Sequence, residues 1–179
     1  MPPTPNRHAP RMPRLTLVWW SNTGGTQALM TAAESGAREA AREVDTPIDL
    51  QILRCDLATV PAIERSDALI LACPECLGSV AGPMKSFLDR SYYPLLGRIE
   101  GRAWSAMVCA GTDGEGALRL LRRVATGWGL RETAPAIVVR SGDQHPQDIL
   151  GPTRLSQADL ARAHGLGGTI AAGLALGLW

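Results

Sequence analysis

The segment Val18-Trp19-Trp20-Ser21-Asn22-Thr23-Gly24-Gly25-Thr26-Gln27 runs three bulky apolar residues into a row of hydroxyls and amides with a glycine pair. Such a change marks a buried strand leaving a sheet where its backbone must approach a ligand closely. Ser21, Thr23 and Thr26 offer hydroxyl donors. The N–H groups from about Thr23 to Gln27 point toward the start of a helix whose dipole favours an anion. This is the chemistry of a phosphate cradle that works without a cation. It is not a nucleoside triphosphate site, which needs GxxxxGK[ST], and the dinucleotide pattern GxGxxG is absent as well. On this string alone a polar turn with helix caps remains the alternative.

Two other groups of residues have chemical potential. Cys73-Pro74-Glu75-Cys76 has the spacing of a redox dithiol between a strand and a helix. A thioredoxin-like chain would place it after an early strand and continue with antiparallel strands, so an inert loop is the better reading. Zinc held by Cys55, Cys73, Cys76 and Cys109 is disfavoured because structural zinc needs a second CxxC knuckle, and no metal site is expected. His8 and His164 read as solvated or structural, and Lys85 as a helix-surface charge. A phosphorelay receiver is set aside because residues 21–26 contain no carboxylate.

The elements that must position these residues follow from hydrophobic period. Apolar runs at 14–20, 48–55, 68–73, 103–110 and 134–140 predict strands, the third and fourth buried on both faces. Helices are expected at about 24–43, 80–94, 114–128 and 156–178, with Ser156 as N-cap, and a brief one within 57–66 limited by Pro61. Alternating strands and helices imply right-handed crossovers and a parallel sheet covered on both faces. Ligands of such sheets lie beyond the carboxyl ends of the strands, which selects residues 21–26, 74–79 and 111–116.

Composition narrows the partners. The 179 residues suit a single domain, 14–179, behind a proline-rich leader at 1–13 expected to be disordered. A net charge of +1 gives no field for nucleic acid. The apolar tail "TIAAGLALGLW" is about half the length of a bilayer span, and reads as a helix whose small residues let it lie close to a sheet. Uneven cysteines and the lack of a signal peptide favour the cytoplasm.

"SNTGGT" (21–26) fits the flavodoxin phosphate-loop pattern [ST]-x-[ST]-G-x-T at every specified position. "CPECLGSVAGPMKSFLDR" (73–90) resembles the flavin-edge segment of flavodoxin-like NAD(P)H-dependent FMN and quinone reductases, and "VCAGTDGEG" (108–116) is similar to their third loop. The resemblance implies a flavodoxin-like α/β three-layer sandwich with five parallel strands in the order 2-1-3-4-5. It implies FMN held at the phosphate by Ser21, Asn22, Thr23, Gly24, Gly25 and Thr26. Pro74, Glu75, Cys76, Leu77, Gly78 and Ser79 would wrap one flavin edge, and Ala110, Gly111, Thr112, Asp113 and Gly114 the pyrimidine side. Catalysis would use no side chain, the flavin carrying hydride from NAD(P)H to a quinone or other small acceptor. Arg140 and His145, after the fifth strand, are candidates to contact the nucleotide phosphate or a quinone oxygen. A homodimer or homotetramer is expected. Tyr92, Tyr93, Trp104 and Trp128 should lie at the opposite end of the sheet, with Trp19 and Trp20 sent to opposite faces as core. The rivals are an electron carrier serving protein partners and an FMN-binding protein without turnover.

Overall fold

A computed structural model describes residues 11–142 and 145–179. His8 and most of the expected leader fall outside them. Within them, Arg11 pairs with Asp67 and the Asp49 N–H donates to the Pro13 carbonyl at 2.8 Å.

In chain order the elements are β1 (Arg14–Trp19), α1 (Gly25–Glu43), β2 (Asp49–Arg54), α2 (Val60–Glu64), β3 (Ala68–Cys76), β4 (Ser79–Val80), α3 (Gly82–Leu95), β5 (Ala103–Ala110), α4 (Glu115–Gly127), β6 (Arg131–Glu132), β7 (Ile137–Arg140), α5 (Pro146–Leu150) and α6 (Gln157–Ala175). The long strands are parallel, and the sheet runs β2-β1-β3-β5, with β6 and β7 both pairing with β5. The expected five rows therefore keep their order, but among the described residues seven strands build the sheet, with β4 and β7 off its main path. The fifth row is split at Thr133–Ala136, where Pro135 has no N–H to offer. There Glu132 accepts the Ala136 N–H at 3.3 Å, and its hydrogen bonds from Arg122 hold its carboxyl below the ordinary range.

Alternation along the strands makes two cores. Val18, Leu69, Leu71 and Val108 face α3 and α4 through Met84, Phe87 and Leu121. Leu15, Leu17, Ile70 and Met107 face α1 and α6 through Leu29, Ala33 and Ile170. Trp20 packs at the edge of the first core and Trp19 at the edge of the second, the opposite-face placement that the sequence implies. Tyr92 stacks on the buried Trp128, whose Nε1–H donates to the Tyr92 carbonyl at 3.0 Å.

The small residues of α6 serve a different neighbour from the one expected. Its closest approach is to α1 rather than to the sheet. A Cβ on Gly167 would stand 1.9 Å from the Ala33 carbonyl oxygen, and one on Gly36 would stand 2.0 Å from that of His164. Two backbones in van der Waals contact leave no room for side chains between them. His164 itself pairs with Glu39, Nε2 to Oε2 at 3.0 Å. Among the described residues no helix is long and apolar enough to cross a membrane.

Candidate functional site

A cleft of about 340 Å³ opens beyond the carboxyl ends of β1, β3 and β5. Its floor is the loop between β1 and α1. Gly24, at φ 89°, turns the chain into α1 without a side-chain cap. Ala28 N–H is the first to bond back along the helix, to the Gly24 carbonyl at 2.9 Å, so the amides of Gly25, Thr26 and Gln27 make no intrahelical bond. Ser21 Oγ accepts the Gly24 N–H at 3.1 Å. Thr26 is only 1% exposed, and its hydroxyl has no partner within the chain. Gly25 is required by space, since a Cβ there would meet Cys109 Sγ at 2.7 Å and Thr153 Cγ2 at 2.9 Å.

The second wall differs in form from the loop read in the sequence. β3 continues through Cys76 and pairs antiparallel with β4, making a hairpin with Leu77 and Gly78 at its tip. Both tip residues have positive φ, 51° and 73°, as a two-residue hairpin of the mirror-image type requires. Pro74 is tolerated inside this strand for a reason of register. Ala72 bonds to β1 through Trp20 N–H at 3.0 Å, and two residues later the same edge has no β1 partner left.

Side chains tie the loops together across the cleft. Asn22 accepts the Trp20 indole N–H at 2.7 Å and donates to Cys76 Sγ at 3.4 Å. Glu75 Oε2 accepts the Gly114 N–H at 2.8 Å, while its Oε1 is buried without a partner. The third loop is in turn held by Ser141 N–H and Gly142 N–H donating to the Ala110 and Gly111 carbonyls at 2.9 and 2.8 Å. Among the described residues on the wall, Glu75 is the single carboxylate and there is no lysine or arginine.

Of the residues expected at the site, Ser21, Asn22, Thr23, Thr26, Pro74, Glu75, Cys76, Leu77, Ala110 and Gly111 line the cleft. Gly24, Gly25, Gly78, Ser79, Thr112, Asp113 and Gly114 do not, although Gly25 and Gly114 shape it from behind. Arg140 is off the wall and donates to Glu115 at 3.0 Å, and the exposed His145 precedes α5. Ser141, Ile149 and Thr153 line it without having been singled out in the sequence, and so does Cys109, which the sequence raised only as a zinc ligand. A larger groove of about 810 Å³ between α1 and α6 is lined by Gly24, Gln27, Thr31 and Leu160 among others, and reaches the glycine turn of the first loop from the helix side.

The two cysteines of C-P-E-C lie in one extended strand, three residues apart. That separates their Cα atoms by about 10 Å and turns them to opposite faces, beyond the roughly 7 Å a disulfide allows. Burial pushes the Cys73 thiol up to about 12 and that of Cys55 to about 11. No group suited to a metal ion occurs among the described residues. In the folded protein at pH 8, a thiol reagent is expected to modify a single cysteine rapidly, the half-buried Cys76, and all four after denaturation. A Cys76→Ser variant that still reacted rapidly would contradict this assignment.

The orphaned Thr26 hydroxyl and the free α1 amides fit a phosphate monoester. Residues 57–143, from before α2 to just past β7, match the family of NADPH-dependent FMN reductases. The chain has a flavodoxin-like fold. It is similar to a flavodoxin from the domain Archaea (18% identity, TM-score 0.66, covering 90% of this chain and 98% of that one). A WrbA-like flavodoxin from Agrobacterium tumefaciens is similar at 18% identity and TM-score 0.69, over 90% of this chain and 97% of the other. The two-electron reduced flavodoxin of Megasphaera elsdenii is similar at 18% identity and TM-score 0.64, over 88% and 98%. At such identities these structures establish the fold. No curated protein matches the chain. The flavodoxin-like fold accounts for the position of the cleft, because its strand order reverses beside β1 and β3, where the first two loops meet.

Proposed function

We propose that the protein is an FMN-dependent oxidoreductase that passes reducing equivalents from NAD(P)H to a quinone or another small acceptor. The observation that carries this reading is the convergence of the 21–26, 74–79 and 110–114 loops on one cleft. Its cradle end offers hydroxyls and helix amides, one hydroxyl being buried with nothing to bond. The family match over 57–143 supports it.

FMN, when bound, supplies the two-electron chemistry. The chain supplies binding and orientation. Ser21, Thr23, Thr26 and the first amides of α1 would hold the phosphate, neutralising part of its charge with dipoles in place of a cation. The hairpin of β3 and β4 would stand along one edge of the ring and Ala110–Gly111 along another. The Glu75 to Gly114 bond holds these two walls at a fixed separation. Its carboxylate also adds negative charge at the inner end of the cleft, which opposes accumulation of further negative charge there. Leu77, fully exposed at the hairpin tip, and Ile149 give the mouth an apolar rim suited to an uncharged acceptor or to a second subunit. A homodimer or homotetramer belongs to the same reading, and light scattering at micromolar concentration checks it.

Anaerobic addition of NADPH, then of NADH, to the FMN-loaded protein tests the activity through the visible spectrum. Rapid loss of the yellow colour with either nucleotide is the expected result. A spectrum unchanged by both overturns the reductase reading in favour of an electron carrier.

A further inference from the structure

The segment 151–155 leaves α5 and passes over the phosphate cradle before α6 begins. Thr153 is bound to the cradle twice: its N–H donates to the Thr23 carbonyl at 2.9 Å, and its Oγ1 lies 2.6 Å from Thr23 Oγ1. Its methyl group faces Gly25, with Cγ2 at 2.9 Å from where a Cβ would be. With Cγ2 against Gly25 and Oγ1 against Thr23, the χ1 rotamer of this β-branched residue is fixed. Both threonines line the cleft.

Proton accounting gives the contact a consequence. Two hydroxyls at hydrogen-bond distance share one proton between their oxygens, and the other hydroxyl proton must point elsewhere. If Thr153 donates to Thr23 Oγ1, the Thr23 proton is free to face the cleft. It then joins the Ser21 hydroxyl, whose oxygen already accepts the Gly24 N–H, and the buried, unpartnered Thr26 hydroxyl. All three donors belong to the floor that the α1 amides complete.

We propose that Thr153, distant from the phosphate-loop motif in sequence, is a positioning residue that directs the Thr23 hydroxyl at the phosphoryl group of a bound phosphate monoester. The inference rests on the FMN reading of the cleft. Thr153 acts through Thr23, and the pair behaves as one donor. Its loss removes a charge-assisted hydrogen bond to the phosphate and leaves contacts to the rest of the ligand in place.

FMN and riboflavin, which differ by the phosphate alone, separate these effects in fluorescence titrations of the full chain. The unmodified protein should bind FMN more tightly than riboflavin. Thr153→Val, which keeps the branched shape, should lower that preference by about tenfold or more while riboflavin affinity stays within about twofold. Thr153→Ser should restore the preference. Thr23→Val should show the same loss, and the double variant should lose no more than about twofold beyond either single one, as expected of a unit. An unchanged preference in Thr153→Val, or equal weakening of both ligands, overturns the proposal while leaving the cleft reading intact. Failure of the unmodified protein to prefer FMN defeats the phosphate reading itself, a distinguishable result.

Discussion

Thr26→Val is expected to raise stability and weaken FMN binding in the same protein. The Thr26 hydroxyl is buried without a partner, and in the ligand-free chain such a group costs about 1–3 kcal/mol. Valine keeps the branched shape and nearly the same helix propensity, so its substitution should stabilise the free protein by about 1 kcal/mol. In thermal unfolding that is a rise of about 2–4 °C. With FMN bound, the hydroxyl would become a donor to a charged oxygen, worth about 1.5–3 kcal/mol, and its loss should weaken binding by about ten- to a hundredfold. The opposite signs are the test. A core threonine with no ligand role would leave FMN affinity unchanged.

Gly167→Ala should be the most damaging of the small substitutions for stability. Alanine is the better helix former by about 1 kcal/mol, so propensity alone predicts stabilisation. The added Cβ, however, would stand 1.9 Å from the Ala33 carbonyl oxygen, a backbone atom that cannot swing aside. α1 and α6 must move apart, which uncovers the core of Leu29, Ala33, Ile170 and Ala171 beneath them. Overpacking of this kind costs about 1–3 kcal/mol, occasionally more, and the backbone clash places this site at the upper end. Set against the gain in propensity, we expect a net loss of about 2 kcal/mol, read as a fall in Tm of about 4–8 °C. A Tm equal to that of the unmodified protein would show that the two helices are not in backbone contact. FMN affinity should also fall, because α6 carries Thr153 at its entrance and α1 carries the cradle.

These two residues also show what the sequence disclosed and what it withheld. The cradle was legible because its chemistry is local: hydroxyls, glycines and a helix start lie within six consecutive positions. β5 was legible residue for residue, since a strand buried on both faces is apolar from Ala103 to Ala110 apart from Ser105. The extension of β3 past Pro74 was not, because proline ordinarily ends a strand and its tolerance here depends on where β1 stops. The split fifth row depends on which part of β5 each short strand reaches, which no local pattern encodes. Thr153, and the place of Cys109 in the cleft wall, were missed for a related reason. Nothing in "GPTRL" announces contact with a loop 130 positions away, and Cys109 reads as one more apolar position of a buried strand. The glycines of α6 signalled close packing correctly but could not say against what.

Titration of FMN with the purified protein, followed by flavin fluorescence, tests the central claim most directly. Quenching that saturates at one FMN per chain in the micromolar range is the predicted result. Emission that stays constant as protein rises to tens of micromolar would contradict it, and the cleft beyond β1, β3 and β5 would then have to serve another ligand.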